Sequence, residues 1–257
     1  RQKIFNGIEQ ADLSEPGILA ALTIGERSLL TSATREIWQK TGLAHSLAIS
    51  GLHLGMVAGS TILFFRFCFY CFPISLKNRE RLDIRLWSLV FAAIVVSAYA
   101  GMSGFSISTV RALTMFLVVL LHIVLKLKLN PLSLLLRVVA AVLVVDVFAW
   151  QDPGFWLSIT AVAALFLASW RWSKSRGRFS AVKSLWSIQW QLLVVMSPLS
   201  FLLFGGFSLF APVVNLLVLP VISFWLLPLA LIGTVFALFG SDIAVSFWQL
   251  SELPVTC

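Results

Sequence analysis

Charge is what this sequence has least of. Only 12% of its 257 residues are Asp, Glu, Lys or Arg, against about a quarter in soluble domains, so an ordinary soluble domain is excluded. Strand-like alternation over about ten residues is also missing, which excludes a closed transmembrane barrel. Cysteine is scarce, with three in all. Cys68 and Cys71 form a CxxC within the aromatic run FRFCFYCF, but no second pair or neighbouring histidine completes a redox or metal site. The three histidines and few carboxylates show no ligand spacing, so neither a metal nor a cofactor is expected. No GxxxxGK[ST] sequence is present, which excludes a phosphate-binding motor loop of that kind.

Apolar runs are there instead. Hydrophobic residues make up 59% of the chain, mean hydropathy is +0.95, and stretches of about 20 apolar residues, long enough to cross a bilayer, recur with the charge between them. The expectation is an all-α, polytopic integral membrane helical bundle with about seven to eight membrane segments, including broken or re-entrant helices. Six spans are predicted near 46–65, 87–100, 109–126, 137–150, 155–170 and 185–204. The loops alternate in charge. Arg66 to Arg85 holds five basic and two acidic residues, 126–137 is basic, and 171–183 holds five basic and no acidic residues. These loops are cytoplasmic by the positive-inside rule, so the net charge of +8 reads first as topology and only then as affinity for an anionic partner. From 207 to 239 the chain is apolar but broken by Pro212, Pro220 and Pro228, with Asn215 inside. Either one span preceded by a half-length helix or two short spans would fit. Residues 1–44 read as an extramembrane segment with a short interfacial helix at 32–41, capped by Ser32 or Thr31 and stopped by Gly42. Residues 45–240 form the membrane domain and 241–257 a tail. A first residue other than Met and an abrupt end suggest a piece of a longer protein.

The chain is organised around Ala44 to Arg66. At 100° per residue, Ser46, Ser50, His53 and Ser60 fall within an arc of roughly 80°, and Gly51, Gly55 and Gly59 fall opposite. The glycine side is expected to pack closely against another helix, and the polar side to face a wet path, with His45 at its outer mouth. Arg111 is the other oddity, because it is the only charge between Arg85 and Lys126. With Thr114 and His122 it makes a second polar stripe, so the two helices are expected to face each other. Asp152 reads as a helix cap, and Asp146 as a candidate partner for Arg111. Gly101-Met102-Ser103-Gly104 matches the GxSG of rhomboid-type intramembrane proteases. Its serine, however, has only His122 downstream as a base, about 28 Å away along a helix. No enzyme is expected.

Read together, these segments resemble the membrane competence domain of the ComEC family. The resemblance rests on Gly42-Leu43-Ala44-His45, on Leu47 to Gly55 (LAISGLHLG), and on Gly25-Glu26-Arg27-Ser28 upstream. Gly104-Phe105-Ser106, Arg111-Ala112 and Asp152 to Ser158 (DPGFWLS) extend it. It implies a bacterial inner-membrane channel that passes single-stranded DNA to the cytoplasm in natural transformation. It also implies an oligonucleotide-binding-like domain before this region and a nuclease domain after it. Single-stranded DNA and membrane lipids are the implied partners, with a cytoplasmic motor and periplasmic DNA-uptake proteins beside them. The DNA path is then assigned to His45, Ser46, Ser50, His53, Ser60, Phe105, Arg111, Thr114 and His122. The competing expectation is a small-solute or ion transporter built on the broken stretch around Asn215.

Overall fold

The computed structural model describes residues 1–11, 13–43, 49–71, 83–127, 130–172, 180–204, 208–241 and 243–256. Every regular element among them is helical. Five helices are long and apolar enough to cross a membrane, and Pro131–Val145 and Pro153–Ala168 are shorter apolar helices. The all-α membrane bundle expected from hydropathy is therefore observed.

The described chain divides into two compact units. The first comprises residues 1–29, 48–128 and 226–257. In it α4 (Gly51–Cys71) packs along α5 (Ile84–Met102) and, less extensively, on α6 (Ile107–Val124), while α5 also packs on α6. Asp83 starts α5 by accepting from the Leu86 N–H at 3.2 Å, one of the end donors a helix cannot satisfy itself.

The same unit holds α1 (Gln2–Gln10), α2 (Pro16–Thr23), α11 (Leu227–Leu238) and α12 (Ile243–Thr256). Pro16 presets the first turn of α2, and the small and aliphatic sequence behind it lets every residue from Gly17 to Thr23 be buried. The predicted extramembrane segment thus contributes one of the most buried elements of this unit. Two side chains tie α2 down. Tyr99 donates its hydroxyl to the Leu22 carbonyl at 2.7 Å. From α12, the buried Glu252 carboxylate accepts the N–H groups of Ser14 and Glu15, both at 2.9 Å. Glu252→Ala leaves those two donors without their anion and is expected to cost roughly 2–3 kcal/mol. A lowered melting temperature in detergent and faster proteolysis around Ser14 would check it, with Glu252→Gln giving the smaller loss.

Residues Ile243–Thr256, within the stretch expected as a tail, form a helix. Helix α12 lies against α11, with Trp248 only 1% exposed and its Nε1 donating to the Ala230 carbonyl at 3.3 Å. Sequence patterning missed this helix because one bulky aromatic, rather than a long apolar stripe, carries its packing.

The second unit comprises residues 30–47 and 129–225. Helix α3 (Ser32–Lys40) begins at Thr31, whose hydroxyl accepts from the Thr34 N–H. It ends at Gly42 in a Schellman turn, in which the Leu43 N–H reaches the Trp38 carbonyl and the Gly42 N–H that of Gln39. Gly42 has φ +82°, and a Cβ there would lie 2.8 Å from that of Ala211. Both the turn and the approach require glycine. Next come α7 (Pro131–Val145), α8 (Pro153–Trp172), α9 (Ser180–Phe204) and α10 (Ala211–Val221). They pack in sequence, α7 on α8, α8 on α9, and α9 on α10.

The proline-broken stretch resolves as a single helical run, Ala211–Leu238, in which a π-helical turn, Ile222–Leu226, joins α10 to α11. Pro220 sits at the end of α10 and Pro228 in the first turn of α11. A wider turn between two residues that lack N–H donors lets the chain continue without breaking.

Candidate functional site

The organising stretch enters its helix later than predicted. Ser50 precedes α4 and its carbonyl accepts from Leu54, while its own N–H points at His53 Nδ1 at 3.4 Å. His53 thus reaches back over the first turn, as the third residue of a capping box does. With Nδ1 accepting, a neutral ring carries its proton on Nε2. His45 and Ser46 lie outside the described residues.

Among the described residues the buried side chains of α4 lie mostly away from Gly55 and Gly59. His53 is fully buried and shares its side with buried Leu54, Val57 and Ala58. On the opposite side a Cβ added at Gly55 or Gly59 would meet no described atom within 4 Å, and one at Gly51 would make an ordinary 3.7 Å contact with Ala112. Among the described residues Gly55 and Gly59 thus face no close neighbour and Gly51 makes one ordinary contact. Leucine, valine and alanine offer a neighbour more atoms than bare backbone does, so the side bearing them is the one that packs. Ser60 is exposed.

The turn between α5 and α6 lies at the same end. Helix α5 closes on Gly104, with the Phe105 N–H reaching the Ala100 carbonyl. Ser103 is buried and donates its hydroxyl to the same carbonyl at 2.7 Å. That is a capping role. Phe105 follows with φ +50°, rare for a bulky residue, and a side chain 57% exposed. Ser106, the N-cap of α6, shares a 2.6 Å hydrogen bond with buried Thr109.

The starts of α4 and α6 meet here. Ser108 donates to the Ile49 carbonyl at 3.4 Å, and Gly51 faces Ala112. Beside these contacts stand His53 at 0%, Thr109 at 0% and Arg111 at 7% exposure. Arg111 thus sets a nearly buried guanidinium on α6, next in sequence to the Ala112 that Gly51 faces.

The loop Gly25 to Ser28 presses on this turn, where a Cβ on Gly25 would come within 3.0 Å of the Ser103 carbonyl oxygen. Glu26 pairs with Arg1 at 3.7 Å. Its carboxyl is held below its ordinary value of 4.5, chiefly by the Ser28 N–H, then by the Ser28 hydroxyl, the Arg27 N–H and the Arg1 charge, against a smaller opposing effect of burial. A lowered folded-state pKa stabilises above the unfolded value, and that contribution disappears as pH falls through the folded one. The protection factors of the Arg27 and Ser28 amides, that is exchange relative to its intrinsic rate at each pH, are accordingly expected to fall on going from pH 6 to below pH 4, and Glu26→Gln to lose most of that dependence. Sequence reading missed Ser106, Thr109 and Glu26 as parts of this site. The density of Ser and Thr in GMSGFSIST was the one signal available.

Lower on α6 the stripe is self-satisfied. Thr114 donates to the Val110 carbonyl at 2.9 Å, and His122 Nδ1 lies 2.8 Å from the Val118 carbonyl. Asp152 accepts from the Gly154 N–H at 3.0 Å at the start of α8. Asp146 accepts from the Phe148 N–H in a local turn. Among the described residues no three His, Cys, Asp or Glu side chains are grouped to hold a metal.

A family model described as Competence protein matches residues 22–257. Recombination protein 2 of Haemophilus influenzae is 33% identical over 249 residues, covering 93% of this chain and 30% of that protein. Competence protein ComA of Neisseria gonorrhoeae is 33% identical over 240 residues, covering 91% of this chain and 33% of that protein. ComE operon protein 3 of Bacillus subtilis is 26% identical over 245 residues, covering 93% and 29%. The chain thus spans about a third of the length of the curated relatives it matches. No solved structure matches.

Proposed function

Since the chain belongs to the ComEC-type competence protein family, we propose that it forms the membrane channel through which one DNA strand enters the bacterial cytoplasm during natural transformation. The inner membrane is its site of action and the parent protein acts without catalysis in this region. The observation that carries the reading is Arg111, a guanidinium only 7% exposed on α6 near the end where α4 and α6 meet. A phosphate chain cannot cross hydrocarbon, and a fixed guanidinium can hold phosphate oxygens in a bidentate grip.

The nine residues assigned to the path do not stand equally. Arg111 supplies the cation, Phe105 an exposed ring in the turn before α6 for stacking, and Ser50 and His53 the shaped entrance of α4. Thr114 and His122 serve their own helix backbone and drop to a secondary place. Membrane lipids surround the bundle, and a cytoplasmic motor with periplasmic uptake proteins supplies direction and delivery.

A second reading, a small-solute or ion transporter, has one observation in its favour. The side-chain oxygens of Asn215 and Ser223 are buried at the broken helix with no hydrogen-bond partner among the described residues. Deleting the full-length protein from its host separates the two. The channel reading expects labelled duplex to be held outside and no labelled strand to reach the cytoplasm. Parental levels of cytoplasmic strand, with a defect confined to a small solute, would favour the transporter.

A further inference from the structure

Helix α9 differs from the other spanning helices. No residue of its stretch Trp186–Leu203 is buried, yet it carries Ser187, Gln189, Gln191, Ser197 and Ser200. Apolar surroundings reward neither amides nor hydroxyls, so a helix like this needs a polar occupant for some part of its surface.

Such a place exists within the second unit. A groove of about 610 Å³ runs between α8 and α9, lined by Ala168 on one side and by Ser187, Trp190, Gln191 and Val194 on the other. That volume lies in the usual range of small-molecule pockets. Buried Ala168 leaves room opposite the indole of Trp190, which is 44% exposed and held edge-on by Trp186 at 6.0 Å between ring centroids. Gln191 donates one Nε2 hydrogen to the Ala164 carbonyl at 3.3 Å. Its second N–H and its Oε1 remain for an occupant, and Ser187 adds a hydroxyl one turn earlier.

We infer that this groove is a nucleobase slot for the passing strand, with Trp190 as stacking platform and Gln191 and Ser187 as hydrogen-bonding edge. The inference rests on the channel reading. Every base has a π-face and every base edge offers acceptors, donors or both, so one ring and one amide receive any sequence, as a channel for arbitrary DNA must. The charge pattern favours the same occupant, because residues 171–183, the sequence joining these helices, hold five basic residues and no acidic one. By the positive-inside rule this is the cytoplasmic end, where the strand emerges. A lipid acyl chain in the groove would leave the amide and the hydroxyl without partners.

The test uses the full-length protein in its transforming host, with Trp190 replaced by a photo-crosslinking phenylalanine analogue and Leu202, 80% exposed on the same helix, replaced likewise as control. Irradiation during uptake of labelled DNA is expected to join the strand to position 190 and not to 202. Trp190→Ala is expected to lower cytoplasmic entry roughly tenfold, and Trp190→Phe, which keeps a ring, to restore most of it. If labelled strand enters the cytoplasm normally but position 190 crosslinks only to lipid or to nothing, the slot is overturned and the channel reading survives. If the strand enters equally well without the protein, both fall.

Discussion

Arg111→Ala is expected to reduce cytoplasmic entry of a labelled strand by at least tenfold while the protein still inserts and accumulates. Charge-assisted hydrogen bonds are worth about 1.5–3 kcal/mol each, and each 1.4 kcal/mol is a factor of ten, so losing one phosphate grip accounts for that size of effect. Arg111 stands on the first turns of α6 at 7% exposure, where a guanidinium earns nothing from lipid. Arg111→Lys separates charge from shape. It keeps the cation but loses the planar fork, and entry between the parental and alanine levels is expected. Cytoplasmic scintillation or fluorescence counts, normalised to protein in the membrane fraction, check all three. Equal entry in parent, lysine and alanine variants would remove Arg111 from the path.

Trp248→Ala is expected to destabilise the first unit by about 3–5 kcal/mol, the range for emptying a buried aromatic site. The indole is the largest fully buried side chain in the described chain. It lies over Gly7 of α1 and Gly233 of α11, where added Cβ atoms would approach it to 3.3 and 2.8 Å. A close fit leaves little room for relaxation, so the hole persists. Gly233→Ala attacks the same contact from the other side, because its Cβ would also stand 3.1 Å from the Ala244 carbonyl. Melting in detergent should show both losses, and surface changes such as Ile243→Ala should show almost none.

Much of the bundle is legible in the sequence because hydrocarbon is a simple solvent. Length and apolarity alone place α4, α5, α6, α8 and α9, and capping chemistry places Thr31 and Gly42 at the ends of α3 and Asp152 ahead of α8. Facing is harder to read. The glycines of α4 suggest a packed seam, but in lipid the drive toward a neighbour comes from contact atoms, and Leu54, Val57 and Ala58 supply more of them. The buried position of α2 is hidden for another reason. Nothing local tells that the N–H groups just ahead of it, those of Ser14 and Glu15, are held by Glu252, about 240 positions away along the chain. The candidate site was half visible, since Arg111 and His53 stand out as polar groups in apolar runs. Thr109 and Ser106 do not, because hydroxyls are common at helix starts and only the meeting of α4 with α6 gives these two a place in the site.

The most direct measurement asks whether the protein itself passes a strand. Full-length protein is reconstituted into vesicles enclosing a single-strand-binding protein, which makes entry downhill without a motor, and a labelled single-stranded oligonucleotide is added outside. The channel reading predicts nuclease-protected oligonucleotide inside these vesicles, strongly reduced by Arg111→Ala and absent without protein. Folded protein, verified by its melting transition, in vesicles that remain empty of oligonucleotide would contradict it.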